Sequence, residues 1–151
     1  MGKKIWLVNY YAMPPEHESR LRAIKFAQYL NDAGFETKII SSSFLHNKNI
    51  NLISKGLPYK EVSYGKLNFI HINNKSFKSN NLYRFWSLLV FHFKLHLYSG
   101  RFDKPDYILH TCAPPFGFIT VFTASKLKAK YFTEVLDLWP ESFLAFDLVS
   151  K

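Results

Sequence analysis

Cysteine, long apolar runs and acidic residues are all scarce in this sequence of 151 residues. Its one cysteine, Cys112, cannot form a disulfide within the chain or a cysteine-based zinc site, which favours a reducing compartment. No apolar run approaches the roughly 20 residues that a membrane-spanning helix needs. The apolar stretch near the N-terminus is short and runs into Pro14 and Pro15, so it predicts a strand rather than a signal peptide.

Acidic residues number 11 against 20 lysines and arginines, which gives a formal net charge of +9. Such a surface attracts nucleic acid, anionic lipid head groups or phosphorylated substrates, and a solvated basic surface that aids solubility is the plain alternative. Only four of the basic residues are arginine, and no RNA- or DNA-binding motif is present. Both observations disfavour nucleic acid as the partner.

Glycine is also rare, with six in the chain, and none lies in the loop after the first predicted strand. This excludes a dinucleotide-binding fingerprint and a phosphate-binding P-loop at that position. Apolar side chains, by contrast, are abundant: 48% of the residues are hydrophobic and 18% are aromatic, which excludes a disordered chain. The length fits one core-forming domain, residues 1–151.

Short apolar runs alternate with stretches of helical periodicity along the chain. Residues 20–33, for example, place apolar side chains at helical spacing before Gly34, and glycine commonly ends a helix. This alternation predicts a Rossmann-like, doubly wound α/β domain with a mostly parallel sheet. We expect strands at 4–9, 35–40, 61–62, 67–72, 106–110 and 131–136, helices at 20–33, 80–98 and 117–128, and a mobile loop at 41–56.

Polar residues and prolines concentrate just after four of the predicted strands. In a doubly wound sheet, ligands bind beyond the carboxyl ends of the strands, so these segments predict the functional rim of the domain. The four segments are residues 9–17, 41–44, 110–117 and 137–141.

Residues 137–141, DLWPE, follow the strand YFTEVL and resemble a hallmark of family-4 glycosyltransferases, which have the two-domain GT-B fold. Three other segments are similar to that family in the same order: NYYAMPPE followed by Ser19 and Arg20, GFETKIISSSFLH, and KPDYILHTCAPPFG. The resemblance covers nearly all of the chain. Four segments in the right order are more specific than any one of them alone.

The resemblance implies a hexosyltransferase-type enzyme of surface polysaccharide biosynthesis, such as capsule or O-antigen assembly. A sugar would pass from a UDP- or GDP-linked nucleotide-sugar to a lipid-linked or saccharide acceptor, with retention of configuration and without a metal or other cofactor. The expected location is the cytoplasm, peripheral on the inner face of the plasma membrane. In the family, the N-terminal domain binds mainly the acceptor. This chain is therefore expected to be a truncated N-terminal half, inactive without the C-terminal domain that binds the nucleotide-sugar.

The rim and the resemblance select several residues for catalysis or substrate binding. Asp137 would orient an acceptor hydroxyl or accept its proton, or else serve as a turn residue before Pro140. His17 would act as a general base, or else be a solvated loop histidine. Arg20 would contact a phosphate, or else pair with Glu16. The other substrate-binding candidates are Pro15, Glu16, Thr111, Trp139 and Glu141, the last two with packing and helix capping as alternatives.

The predicted helix 80–98 carries aromatic residues on nearly every face. It would either lie buried between the sheet and a further domain, or place its excess apolar face in an anionic membrane surface. In the second case the membrane-facing candidates are Arg84, Trp86, Phe93 and Lys94.

His92 and His96 are one helical turn apart but lack the glutamate of an HExxH motif, so no metal site is predicted. His110 and Cys112 are expected to pack rather than to act as base and nucleophile. Two other functions stay open at this stage. One is a GT-B-fold sugar-nucleotide epimerase, and the other is a non-catalytic module that binds nucleic acid or an anionic membrane through its basic face.

Overall fold

The computed structural model describes residues 2–17, 21–45, 48–54, 56–74, 82–111 and 116–136. Within these ranges, short runs rich in β-branched and aromatic residues form strands, and longer segments with helical periodicity form helices. The elements, in chain order, are β1 (Lys4–Val8), α1 (Arg22–Asp32), β2 (Glu36–Ser42), β3 (Phe44–Leu45), β4 (Ile50–Asn51), β5 (Tyr59–Tyr64), β6 (Leu67–Ile72), α2 (Leu82–Tyr98), β7 (Tyr107–Thr111), α3 (Gly117–Leu127) and β8 (Lys130–Glu134).

Six of the strands form one sheet in the order β5–β6–β2–β1–β7–β8. The strands β6, β2, β1, β7 and β8 run parallel, and β5 pairs antiparallel with β6. Parallel neighbours need crossover connections. Helix α1 joins β1 to β2, α2 leads from β6 to β7 and α3 joins β7 to β8, whereas the chain passes from β2 to β6 through β3, β4 and β5. The predicted Rossmann-like α/β class with a mostly parallel sheet is therefore confirmed.

The segment predicted to be a mobile loop, residues 41–56, contains more regular structure than expected. The strand β2 extends to Ser42, and Phe44 and Leu45 form β3, which pairs antiparallel with β4. Both β3 side chains are buried, and their burial anchors the small hairpin. The prediction was wrong here because two apolar residues are too few to produce a recognisable strand pattern.

Side chains alternate along the strands, so the sheet has two apolar faces. The first face packs against α2 and α3, with Trp6, Val8 and Phe91 in its core. The second face packs against α1, with Leu7 and Ile24 in its core. We call these sides the α2–α3 face and the α1 face. None of the helices in the described ranges is long and apolar enough to cross a membrane.

Helix α1 ends at the glycine that the sequence singles out. Gly34 has a φ of +87°, a left-handed conformation in which glycine pays no steric penalty. Its N–H donates to the carbonyl oxygen of Asn31 at 3.0 Å. The side chain of Asn31 also accepts hydrogen bonds from the N–H and the hydroxyl of Thr37, which fixes the turn that leads into β2.

The strand β1 lies between β2 and β7 and marks a reversal in the direction of sheet building. From β1 the chain proceeds to β2 and β6, and then returns past β1 to form β7 and β8. Ligands of open α/β sheets bind at such a topological switch point, beyond the carboxyl ends of the two strands that flank it. Here those ends are Val8, which is followed by Asn9, and Thr111.

Candidate functional site

Four polar residues meet at the carboxyl edge of the sheet, on the α1 face. Asn9 follows β1, Thr111 ends β7 and Glu134 ends β8, where it is the parallel partner of Thr111. Arg22, from the first turn of α1, reaches over the same edge. We call this group the switch-point site.

The four side chains form one continuous hydrogen-bonded chain. The amide of Asn9 donates to Thr111 Oγ1 at 3.5 Å, and the Thr111 hydroxyl donates to Glu134 Oε2 at 2.9 Å. Arg22 Nε donates to Glu134 Oε1 at 3.0 Å, and Arg22 Nη2 contacts the same oxygen. Both carboxylate oxygens of Glu134 are therefore held by donors from other elements.

These contacts determine the charge state of the site. The hydrogen bond from Arg22 lowers the pKa of Glu134, partial burial opposes that shift, and the bond from Thr111 adds to it. Glu134 is thus an ionised carboxylate at neutral pH, suited to accept hydrogen bonds from hydroxyl groups rather than to act as an acid. Arg22 is half-exposed, and its bonds to Glu134 use only the donors on Nε and Nη2. Among the described residues its other N–H groups donate no hydrogen bond, and groups of this kind suit an anion or a hydroxyl.

Asn9 is held in place by the loop that follows β1. Its Oδ1 accepts from the N–H of Tyr11 at 3.0 Å, and its carbonyl oxygen accepts from the N–H of Ala12 at 3.1 Å. This is the local side-chain-to-backbone turn that asparagine favours. It orients the NH₂ group of Asn9 toward Thr111.

If cavity size alone decided, the functional site would be placed elsewhere in the protein. The cavity at the switch-point site has a volume of only about 20 Å³, enough for one water molecule, so a larger ligand would sit on the open rim above it. A groove of about 490 Å³ lies at the opposite edge, near the amino ends of the strands. Its charges neutralise one another: Lys38 Nζ bonds to Glu61 at 2.9 Å and lies 3.2 Å from Asp103. We place the functional site at the switch point because parallel sheets bind ligands at their carboxyl edge.

The structure places the sequence-predicted site residues as follows. Thr111 belongs to the switch-point site. Pro15 and Glu16 are exposed and His17 is half-buried in a turn that the His17 N–H closes on the carbonyl oxygen of Pro14 at 2.9 Å. Within the described part of the chain, no hydrogen bond joins their side chains to Thr111. The residues Arg20, Asp137, Trp139 and Glu141 lie outside the described residues.

Sequence reasoning missed Arg22 and Glu134 as functional residues. Arg22 bonds to Glu134, which lies 112 positions along the chain. One signal was available: Glu134 is a carboxylate at the end of a strand that also carries Tyr131 and Phe132. A carboxylate in such a place needs a cationic or hydroxyl partner.

The candidates on α2 fall into two groups. Trp86 and Phe93 are exposed on the outer side of the helix. Arg84 and Lys94 are half-buried: Arg84 Nε donates to Tyr11 Oη at 2.9 Å, and Lys94 Nζ donates to the carbonyl oxygen of Asn73 at 2.7 Å. The two basic residues therefore bond α2 to neighbouring loops.

The histidines of α2 have separate partners. His92 Nδ1 bonds to the carbonyl oxygen of Leu88, and its Nε2 lies 3.2 Å from His110 Nε2, whereas His96 Nδ1 lies 3.1 Å from Thr123 Oγ1. His110 is buried, as its predicted packing role requires. No group of three or more histidine, cysteine, aspartate or glutamate residues is placed to hold a metal ion in the part of the chain that the structure describes.

Comparison with known proteins finds no family model and no curated protein that matches the sequence. The function must therefore be inferred from the switch-point site and from the four segments quoted above. All four segments lead to the carboxyl ends of parallel strands: the second and third run through β2 and β7, and the first and fourth follow β1 and β8 in the sequence.

Proposed function

We propose that this chain is the acceptor-side domain of a glycosyltransferase that resembles family 4 and has GT-B architecture. The reaction would transfer a sugar from a UDP- or GDP-linked donor to a lipid-linked acceptor in surface polysaccharide assembly. One observation carries the proposal: the ends of β1, β7 and β8 bring Asn9, Thr111 and Glu134 into one hydrogen-bonded group at the switch point.

Each member of the switch-point site has a role in this proposal. The ionised Glu134 accepts hydrogen bonds from hydroxyl groups of the acceptor sugar. The spare donors of Arg22 bind a phosphate of the lipid-linked acceptor, for which a planar guanidinium is well suited. Thr111 and Asn9 act through Glu134, because their bonds fix the orientation of its carboxylate.

Asp137 keeps the role that the resemblance gives it. It follows Glu134 by three positions in the sequence, just beyond the end of β8. We propose that its carboxylate orients the acceptor hydroxyl or accepts the hydroxyl proton during transfer.

Acceptor binding is tested with ¹⁵N-labelled protein and N-acetylglucosamine linked to farnesyl diphosphate. We expect saturable shifts of the amide signals of Asn9, Thr111 and Glu134, and about tenfold weaker binding by Glu134→Gln, since a bond to a charged group is worth roughly 1.5–3 kcal/mol. The matched control is Glu61→Gln, which removes a lysine-paired carboxylate at the opposite edge and should leave the affinity unchanged. Shifts confined to the opposite edge, or equal weakening by both variants, would contradict the proposal.

The epimerase alternative has its own test. The protein is incubated with UDP-N-acetylglucosamine and no acceptor, and the products are followed by ¹H NMR. We expect the nucleotide-sugar to remain unchanged. Appearance of a second sugar epimer that is lost in Glu134→Gln would replace the transferase proposal with the epimerase.

A further inference from the structure

The outer side of α2 is unusually apolar for a surface. Leu82, Trp86, Phe93 and Leu97 are 75%, 58%, 60% and 55% exposed. Their spacing of four, seven and four residues places them on one stripe that runs the length of the helix. Isolated exposed apolar residues are ordinary, but a contiguous patch of this kind marks a contact surface.

Polar side chains of α2 point the other way, into the protein. Ser87 and His92 are buried, and the Ser87 hydroxyl bonds to the hydroxyl of Tyr10 at 2.7 Å. The helix therefore departs from the usual arrangement, since two of its polar residues lie inside and several large apolar residues lie outside. Burial of the protein's own core does not explain the outward aromatic stripe.

The neighbouring helix α3 shows the same arrangement. Phe118 and Phe122 are 54% and 61% exposed, whereas Thr120 and Thr123 are buried. The helices α2 and α3 are joined by a hydrogen bond from Lys126 Nζ to the carbonyl oxygen of His96, at 2.9 Å. The two helices therefore lie side by side, and we call their exposed apolar residues together the α2–α3 surface.

The charge around this surface has one sign. The sequence contains no aspartate or glutamate between Glu61 and Asp103, or between Asp106 and Glu134. Exposed cations stand at the carboxyl-terminal ends of the two helices: Arg101, Lys126 and Lys128. An apolar, aromatic surface with basic residues and no acidic ones complements an anionic lipid interface.

We propose that the α2–α3 surface docks on an anionic lipid bilayer, with the aromatic side chains of both helices in the interfacial region. A second copy of the chain is a poorer occupant, because a two-fold contact would bring the same basic residues together. The inference goes beyond the sequence prediction in adding α3 and in leaving out Arg84 and Lys94, which bond to loops of the protein. It does not depend on the transferase activity.

The test is flotation of the protein with vesicles that contain phosphatidylglycerol, compared with vesicles of phosphatidylcholine alone. We expect binding to the anionic vesicles that weakens as salt is added. Phe93→Ser and Phe122→Ser should each lower the partition coefficient roughly tenfold, because each removes a large apolar side chain from the lipid. Tyr29→Ser is the matched control, since Tyr29 is 72% exposed on α1 and its loss should leave binding unchanged.

Each alternative gives a distinct result. Absence of binding to the anionic vesicles at low salt would overturn the proposal, as would equal loss of binding by Tyr29→Ser. If Phe122→Ser bound the vesicles as well as the unsubstituted protein, α3 would not belong to the docking surface, and the proposal as stated would be overturned. Sedimentation without lipid would reveal a second copy as the occupant: a dimer that Phe93→Ser dissociates would overturn docking on a bilayer. All three substituted positions are exposed, so the fold is expected to persist, and circular dichroism checks this.

Discussion

The helices on the two faces of the sheet turn different side chains toward the solvent. On the α1 face, the helix buries Ile24 and Ala27 and exposes mainly charged and polar residues. On the α2–α3 face, large apolar residues are exposed and several polar ones are buried. The comparison teaches that amphipathic periodicity shows the buried side of a helix only when the outer side is polar. The outward residues of α1 are Arg22, Lys25, Phe26, Gln28, Tyr29 and Asp32.

The largest expected effect separates the two sides of α2 itself. Phe91 is fully buried in the core of the α2–α3 face, whereas Phe93, two residues along, is exposed. We expect Phe91→Ala to lower the free energy of unfolding by about 3–5 kcal/mol, because it leaves a cavity in the core. Phe93→Ala should change it by less than about 0.5 kcal/mol. Urea unfolding followed by circular dichroism measures both.

The same pair of variants can break the comparison. If Phe93→Ala lowered the free energy of unfolding as much as Phe91→Ala, the outer side of α2 would be buried in solution, and the α2–α3 surface would not be free for lipid. Ile24→Ala gives the reference for a buried side chain on the α1 face. We expect it to lower the free energy of unfolding by about 2–5 kcal/mol.

The sequence predicts the elements of the two faces unequally well. The pattern of α1 and the apolar runs of β1 and β2 are local signals, and they suffice to predict a crossover between parallel strands. Which of Phe91 and Phe93 is buried has no local signal, because both are aromatic. Contacts with distant residues decide it: Ser87 bonds to Tyr10 and His92 to His110.

The residues of the switch-point site also differ in how well the sequence predicts them. Thr111 was predictable because the end of a parallel strand is a general binding position. The pair of Arg22 and Glu134 was not, because it joins the first helix to the last described strand. A single sequence gives no measure of which distant charges meet in space.

Both faces of the sheet bury neutral histidines, but the hydrogen-bond partners of these histidines differ between the faces. On the α2–α3 face, His92 donates through Nδ1 to the carbonyl oxygen of Leu88, so its Nε2 accepts from His110 Nε2 at 3.2 Å. His110 Nδ1 then accepts from the hydroxyl of Tyr131 at 3.0 Å. On the α1 face, His71 has the hydroxyl of Ser41 at 3.0 Å and that of Tyr64 at 3.3 Å.

The second prediction is loss of stability in mild acid. Burial lowers the pKa of His110 to about 3 and that of His71 to about 4, from an ordinary value of 6.5. The unfolded chain therefore binds more protons than the folded protein below pH 6.5, and the free energy of unfolding falls as the pH falls. Between pH 7 and pH 5 each histidine should contribute a loss of roughly 2 kcal/mol.

A single substitution on each face tests which histidine causes this loss of stability. His110→Gln and His71→Gln should each flatten the change in unfolding free energy between pH 7 and pH 5 by roughly 2 kcal/mol, whatever their stability at pH 7. The two effects should add, because the residues lie on opposite faces of the sheet. The carboxylate of Glu134, with a pKa below its ordinary 4.5, titrates under this range. An unchanged pH dependence in either variant would show that its histidine is protonated in the folded protein.

The smallest expected effect tests the buried polar groups of α3. Thr123 Oγ1 donates to the carbonyl oxygen of Ile119 at 2.9 Å and lies 3.1 Å from His96 Nδ1, whereas Thr120 Oγ1 is buried with no hydrogen-bond partner among the described residues. Burying a hydroxyl without a partner is unfavourable, so Thr120→Val should stabilise the protein by about 1 kcal/mol. Thr123→Val should destabilise it by about 1 kcal/mol, since it removes the bonds to Ile119 and His96.

The two threonines are one helical turn apart on the same buried side, so the sign of the change is more informative than its size. Urea midpoints of the two variants at pH 7 give that sign directly. Opposite signs would mean that the buried polarity of α3 is tolerated at Thr120 and required at Thr123. If Thr120→Val also destabilised the protein, its hydroxyl would have to be bonded in solution, and the contrast between α3 and α1 would then lie only in their outward side chains.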